Sequence, residues 1–395
     1  TSDFFGTMIA ADGDYVAISA TGEDDASGSG VGIVYVYSIR TGTLLYTLNN
    51  PNATGTAASD GFGKSLAAHN GILLASADGE DVGGSGSGSV YVFDFATGTL
   101  IRTIANPNAY GTVVGDSFGN ISDISGSGVG IHGNYIIIGA GYEDDASATS
   151  SGKAYIFNAS TGALLFTLNN PSTGGDIFGG SVAIYGNYAI VSAINEDVTS
   201  SNSGSAYIYN VTTGTLLHTL NNPTAAFNDE FGTSVDIYGN YAIVGVPDDD
   251  QGASTAGQAH VYNVTTGTLL YTLNNPSPLS SDEFGRDVKI KGSYAFVGRP
   301  NVSPGTATAP GSSVYIYDLP TGDLIGTIDN PNAYGTLAGD KFGYSIDISN
   351  GYLIAGAPYE DQNFSTSSGK AYIYLLGEPT GKITIREVLS YLSNY

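Results

Sequence analysis

Apolar and polar residues alternate with period two over short runs along nearly the whole chain, and each run ends in Gly, Asn or Asp. One stretch shows the arrangement: Ser181 to Tyr185, Tyr188 to Ala193, Ser205 to Asn210 and Thr215 to Asn221. Val, Ile and Tyr at alternate positions, bounded by turn residues, predict strands. Gly186-Asn187 predicts a tight hairpin between the first two runs, and Thr213-Gly214 one between the last two. Helical spacing is absent until after Thr380-Gly381.

The four-run group recurs. Asp3, Asp60, Asp116, Asp176, Asp229, Asp282 and Asp340 each open an Asp-x-Phe-Gly motif, at spacings of 53 to 60 residues. Seven groups of four antiparallel strands predict an all-β, seven-bladed β-propeller, whose closure leaves only short sheet edges. A β-helix would need a coil of about 20 to 30 residues with fewer strands per repeat. The propeller is expected to span residues 1–381, with units starting near 3, 60, 116, 176, 229, 282 and 340, and residues 382–395 to form a tail. The third run reads aromatic-x-aromatic in six units, from Tyr35 and Tyr37 to Tyr372 and Tyr374, with His260 before Tyr262 in the fifth. Residues two apart share a face, so this run offers an aromatic surface to the neighbouring blade in a chain without Trp or Cys and with one Met.

The string from Phe231-Gly232 through Val235, Ile237, Tyr241 and Gly245 to Pro247, with Gly356-Ala357-Pro358 in the last unit, resembles the FG-GAP repeat. That repeat is the blade unit of integrin α-subunit-type propellers, and the resemblance covers all seven units. The segments Asn106 to Thr112 and Asn330 to Thr336 also look like repeats in structural proteins of marine bacteriophages and in bacterial surface proteins. Many family members carry an Asp-x-Asp-x-Asp-Gly calcium loop between their first two strands. Here that connection is Gly-Asn, or Asn70-Gly71 in the second unit, and contiguous Asp248-Asp249-Asp250 does not reproduce alternating ligands. No cofactor is expected.

Six units place two adjacent acids after the second run: Glu23-Asp24, Glu80-Asp81, Glu143-Asp144, Glu196-Asp197, Asp249-Asp250 and Glu360-Asp361. Acids present in nearly every blade are expected to serve the blade, by accepting N–H bonds in turns or pairing with a neighbour. Calcium held by these pairs, or acid–base chemistry, are the alternatives. Net charge is −25, from 12 basic and 37 acidic residues, and the repeated acids supply about half of that acidity. Such a balance excludes the basic footprint of a nucleic-acid binder. No run approaches the roughly 20 apolar residues that span a bilayer, and Thr1 to Gly6 do not read as a signal peptide, so the chain is expected to be soluble and already processed. His69, His132, His218 and His260 each replace an aromatic at a repeated packing position, and no two share a unit. Neither a metal site nor a Ser-His-Asp triad is read from them.

Function is expected where the units differ. The sixth has Asn301-Val302 in place of its acids and gathers Arg286, Lys289, Lys291 and Arg299, candidates for binding an acidic partner. The third carries seven extra residues between Phe118 and Tyr135. In the tail, a short strand over Lys382 to Ile385 is expected to run into a capping box at Thr384 to Glu387. A short amphipathic helix with Ile385, Val388, Leu389 and Leu392 on one face would then seal the propeller or dock on another protein. The chain is read as non-enzymatic: a structural, adhesion or host-recognition module outside the cell or on a virion, with a protein partner or neighbouring copies. A lectin-like propeller binding surface glycan is the alternative, and a polysaccharide-active enzyme a minor one. Neither nucleic acid nor membrane insertion is expected.

Overall fold

In the computed structural model the described residues are 3–24, 28–51, 59–82, 84–108, 115–120, 126–145, 148–301, 311–331, 339–360, 368–377 and 385–392, the last for backbone alone. They form seven four-stranded antiparallel sheets, each built from strands consecutive in sequence. In blade 1 these are Phe5–Asp12, Tyr15–Ala20, Ile33–Ser38 and Leu44–Asn49. The first strands of successive blades pack against one another around a central channel. They are Phe5–Asp12, Leu66–His69, Val129–His132, Phe178–Tyr185, Val235–Tyr238, Val288–Lys291 and Ile346–Ser349. The fourth strands lie outermost, where adjacent aliphatics such as Leu44 and Leu45 are exposed.

The inner hairpins follow their sequence. Tyr185 pairs with Tyr188 across Gly186-Asn187, and Gly186 has φ +58°, as the first central position of a II′ turn requires. Asn70-Gly71 has φ of +51° and +76°, the I′ alternative for the same job. The outer connection is longer than expected: Asn210 pairs with Thr215, so 211–214 form the loop, closed by the Gly214 N–H donating to the Asn210 carbonyl.

Two devices hold neighbouring blades together. The anchor Phe is fully buried, edge-on to both aromatics of its own third strand, as Phe5 is to Tyr35 and Tyr37 with ring centroids 5.6 and 6.1 Å apart. The same cluster takes in Ile354, Ala371 and Ile373 of blade 7, so the aromatic face does look onto the preceding blade and closes the ring between first and last units. The second device is polar. Asn170, Asn222 and Asn275, each preceding Pro at the end of an outer strand, donate to the next anchor carboxylate, Asp176, Asp229 and Asp282, at 2.8 to 2.9 Å. Asn50, Asn106 and Asn330 do the same for Asp60, Asp116 and Asp340.

The tail departs from expectation. Ile385–Leu392 is a strand, paired antiparallel with the third strand of blade 7 (Lys370–Leu376), and not a helix. Without it that third strand would present an open edge, and ladder pairing prevails over the helical spacing of Ile385, Val388, Leu389 and Leu392. The capping residue Thr384 and the expected strand start lie outside the described residues.

Candidate functional site

The repeated acids are engaged inside the blades. The first member of each Glu pair points inward to the tyrosine of its third strand: Tyr35 donates to Glu23, Tyr91 to Glu80, Tyr155 to Glu143 and Tyr372 to Glu360 at 2.6 to 2.8 Å, and Tyr207 donates to Glu196. Lys153 and Lys370 add ion pairs to Glu143 and Glu360. Burial raises the pKa of Glu143, Glu196 and Glu360, opposed by these hydrogen bonds. The second member closes the following loop: Asp24, Asp81, Asp144, Asp197 and Asp250 accept the N–H groups of Gly30, Gly86, Ser150, Asn202 and Thr255 at 2.8 to 2.9 Å. Asp361 lies outside the described residues.

The two exceptional blades are compensated pairwise. In blade 5 the shorter Asp249 accepts from Thr224 and the Gln251 N–H, and His260 stands where the tyrosine would be. His260 is fully buried, bonded through Nδ1 to Thr272 at 3.1 Å, and burial holds its pKa down to about 4. In blade 6 the residue at the glutamate position, Val302, lies outside the described residues, and Arg299 enters the interior beside the Tyr315 ring. Its guanidinium lies 3.5 Å from Asp282 and donates to the Gly311 carbonyl at 2.9 Å. Arg299 is therefore an interior residue with no exposed surface to offer a partner. His218 likewise serves packing: Nε2 meets the Thr265 carbonyl at 3.0 Å, under the turn of the next blade.

What remains asymmetric gathers in blades 5 to 7. At the middle level of the channel, blades 1 to 4 contribute Ala10, Ala67, Gly130 and Ala183, whereas blades 5 to 7 contribute Asp236, Lys289 and Asp347. Each carboxylate caps an inner-strand N–H of the next blade: Asp236 that of Ile290, Asp347 that of Ala11, and Asp287, one step deeper, that of Ile346, all at 2.7 Å. Burial, offset mainly by Lys289, pushes Asp287 up to about 7. For Lys289 burial works against the charge, but Asp287, Asp236 and Asp347 outweigh it and the ammonium is held more firmly than usual. This charge cluster spans three consecutive joints, including the one between the last blade and the first.

The channel, with a cavity of about 330 Å³, opens between stacked side chains. His69 and His132 stack at 4.3 Å, His132 meets Tyr185 at 4.4 Å, Tyr185 meets Tyr238 at 4.5 Å, and the Lys291 ammonium sits 5.8 Å from the Tyr238 centroid. His132 Nδ1 accepts the Gly186 N–H at 3.1 Å, which places its own proton on Nε2. Burial lowers the pKa of both histidines. The structure thus brings together two histidines that the unit-by-unit reading separated; no group of three or more metal-ligating side chains occurs among the described residues. At the opposite opening the extra residues of the third unit reach over blade 4. Gly126 lies so close to Ser181 and to the Thr233 carbonyl that a Cβ there would come within 2.5 Å of each. Residues 121–125 lie outside the described set.

On the loop face of the same blades, Glu230, Asp248 and Glu283 surround Arg286, which is 3.7 Å from Glu283 and lies over the Tyr344 ring at 5.7 Å. Burial and the neighbouring Glu230 and Glu283 push Asp248 up to about 6. Next to it the Lys341 ammonium rests 4.5 Å from the Tyr359 centroid and 5.5 Å from that of Tyr344, with Phe4 against Tyr359 at 5.2 Å. The four basic residues singled out in the sixth unit therefore divide: Lys289 and Lys291 face the channel, Arg286 the loop face, Arg299 the interior. Among Ile385, Val388, Leu389 and Leu392 only the backbone position, on the outermost strand of blade 7, is described.

Four segments, 112–157, 172–209, 220–262 and 333–374, match the FG-GAP repeat family. Those four segments are FG-GAP repeats. The matched segments fall in blades 3, 4, 5 and 7, and the remaining blades share their anchor motif and strand order. No curated protein matches the chain. An FG-GAP β-propeller is a protein-interaction or adhesion-type module.

Proposed function

We propose that this FG-GAP propeller works by binding rather than by catalysis, as an adhesion or host-recognition module displayed outside the cell or on a virion, with a protein partner or neighbouring copies in a larger assembly. One observation carries the reading. The acids, asparagines and tyrosines that recur in the blades are spent on hydrogen bonds within blades, between blades and across loops. The side chains left over form an asymmetric charged sector on blades 5 to 7. A fixed scaffold with one differentiated sector is how a repeat ring acquires a single recognition face. Net charge of −25 keeps such a surface soluble and repels nonspecific anionic contacts.

The test is to label the purified chain and measure its adsorption to candidate host cells and to particles assembled without it, comparing the wild type with Arg286→Thr, the residue that blade 5 carries at this offset (Thr233). Saturable adsorption that the substitution weakens supports the reading; adsorption to neither surface sinks it. A glycan-binding variant of this reading is favoured by one feature of the loop face, the partly exposed Tyr359 beside Lys341.

A further inference from the structure

We infer that the Lys341–Tyr359 cluster on the loop face is a binding site for a uronic-acid sugar. This rests on the adhesion reading and names its ligand. Most described cations have a carboxylate at ion-pair distance or lie among carboxylates: Arg40 with Asp14, Lys64 with Asp78, Lys153 with Glu143, Arg286 with Glu283, Lys289 in the channel, Arg299 with Asp282 and Lys370 with Glu360. Lys341 has no carboxylate at ion-pair distance among the described residues, and Glu283 acts on it only from further off. Its ammonium lies over two tyrosine rings, which attract a cation, and its N–H groups have no acceptor among the described residues. Burial disfavours its charge, with Glu283 acting for the charge and Arg286 against it, so an anion in direct contact with the ammonium would restore what burial takes away.

The position is also chosen against the repeat. Lys341 is the variable residue of its Asp-x-Phe-Gly anchor, where other blades carry Gly61, Ser117 or Ile177. Tyr359 follows the Gly-Ala-Pro element, where blade 4 carries Asn195. Neither is needed to build a blade, and Tyr359 stays 37% exposed.

The neighbours select among anions. Glu283, Glu230 and Asp248 lie beside the cations and repel a ligand dense in negative charge, such as an acidic peptide or a heavily sulfated chain. They are hydroxyl acceptors for a ligand that is sparsely charged and rich in O–H groups. A uronic acid meets both demands: one carboxylate for Lys341, ring hydroxyls for the flanking acids, and an apolar ring edge for Phe4 and Tyr359.

The experiment is isothermal calorimetry of the full chain with oligogalacturonate and oligomannuronate hexasaccharides, and with the same sugars after reduction of their carboxyl groups. Two variants borrow residues that the chain itself uses at these offsets, Lys341→Ser and Tyr359→Asn, so the fold is preserved, which unchanged thermal melting verifies. Binding of at least one hexauronate is expected, lost on carboxyl reduction, weakened tenfold or more by Lys341→Ser and several-fold by Tyr359→Asn, and unaffected by Lys291→Gln. Failure of both uronates to bind, equal binding of the reduced sugars, or binding indifferent to Lys341→Ser would each overturn the assignment. If the chain still adsorbs to cells while no uronate binds, the adhesion reading stands and only this ligand falls.

Discussion

Replacing Lys289 with Met keeps most of the side-chain volume and removes the cation that sits among Asp236, Asp287 and Asp347. All three carboxylates remain fixed, because each caps an N–H of the next blade. Removing one partner from a buried charge cluster costs roughly 3–5 kcal/mol, and the cavity beside this cluster places the case at the lower end, about 3 kcal/mol. Unfolding entropy of about 2.1 cal/mol/K per residue makes that a fall of roughly 3–4 °C in melting temperature for a chain of this length. The pH dependence carries the sharper test. Asp287, at about 7 when folded, binds its proton more tightly than in the unfolded chain, and burial raises Asp236 and Asp347 in the same sense. Stability associated with such groups is complete at low pH and declines as pH rises from near 4 through the folded value. Without Lys289 the folded carboxylates rise further, so the deficit of Lys289→Met is expected to be largest at pH 8 and to shrink by pH 5. Differential scanning calorimetry at the two pH values decides. An equal deficit at both would mean that only packing was lost, and no deficit at either would mean that the cluster does not hold the ring.

Tyr91→Phe leaves the buried Glu80 carboxylate without its 2.8 Å donor, and an equilibrium urea titration is expected to read a loss of about 1–2 kcal/mol. His260 is held neutral in the fold, near 4 against an ordinary 6.5, so its contribution is present above pH 6.5 and disappears as pH falls towards 4, about 3 kcal/mol in full. Acid titration of His260→Phe should lack that component, and an unchanged acid profile would refute the assignment. Because the repeated acids bond to Tyr hydroxyls and loop N–H groups, excess chelator is expected to shift the melting temperature by less than about 1 °C; a large drop would show bound calcium. Deleting residues 382–395 strips the outermost strand from blade 7, and light scattering should report association through the opened edge.

The seven-fold plan was legible because its determinants are local and repeated. The hairpins at Gly186-Asn187 and Asn70-Gly71 adopt the backbone that their residues favour, and the aromatic-x-aromatic runs pack where their spacing places them. Other features were legible only between units. The Asn before each Pro carries no meaning until it is set against the anchor Asp that follows it by six to ten residues. His69 and His132 are legible as the same repeat position, but reading one unit at a time does not show that equivalent ends of adjacent inner strands stack on each other. The basic residues of the sixth unit looked like one surface, yet alternation along Val288–Lys291 and the end of Tyr294–Arg299 sends them in three directions. The tail was misread because a run with Ile385, Val388, Leu389 and Leu392 satisfies a helical pattern, while what decides is an unfilled ladder elsewhere in the chain.

The asymmetry has a physical logic that separates structural charge from functional charge. In a closed ring every joint must be made, and the joint between first and last units has no chain connection. Blade 7 meets blade 1 through the Phe5 cluster, through the Ser368 carbonyl accepting the Phe5 N–H at 3.1 Å, and through Asp347 on Ala11. The carboxylate chain from Asp236 through Asp287 to Asp347, with Lys289 among them, reinforces that seam and the two joints before it. Blades 1 to 4 line the same level with Ala and Gly. Charge in the channel thus serves joints between blades, the closing seam among them, and the lysine there is consumed by the fold. Lys341 is different: it repeats nowhere, caps nothing, and lies on the loop face with its donors turned to two tyrosine rings. Substitutions in the channel should therefore move stability and leave adhesion intact in molecules that remain folded, whereas Lys341→Ser should move adhesion and leave stability intact. Two variants that failed to separate in this way would put binding and ring closure in a single site.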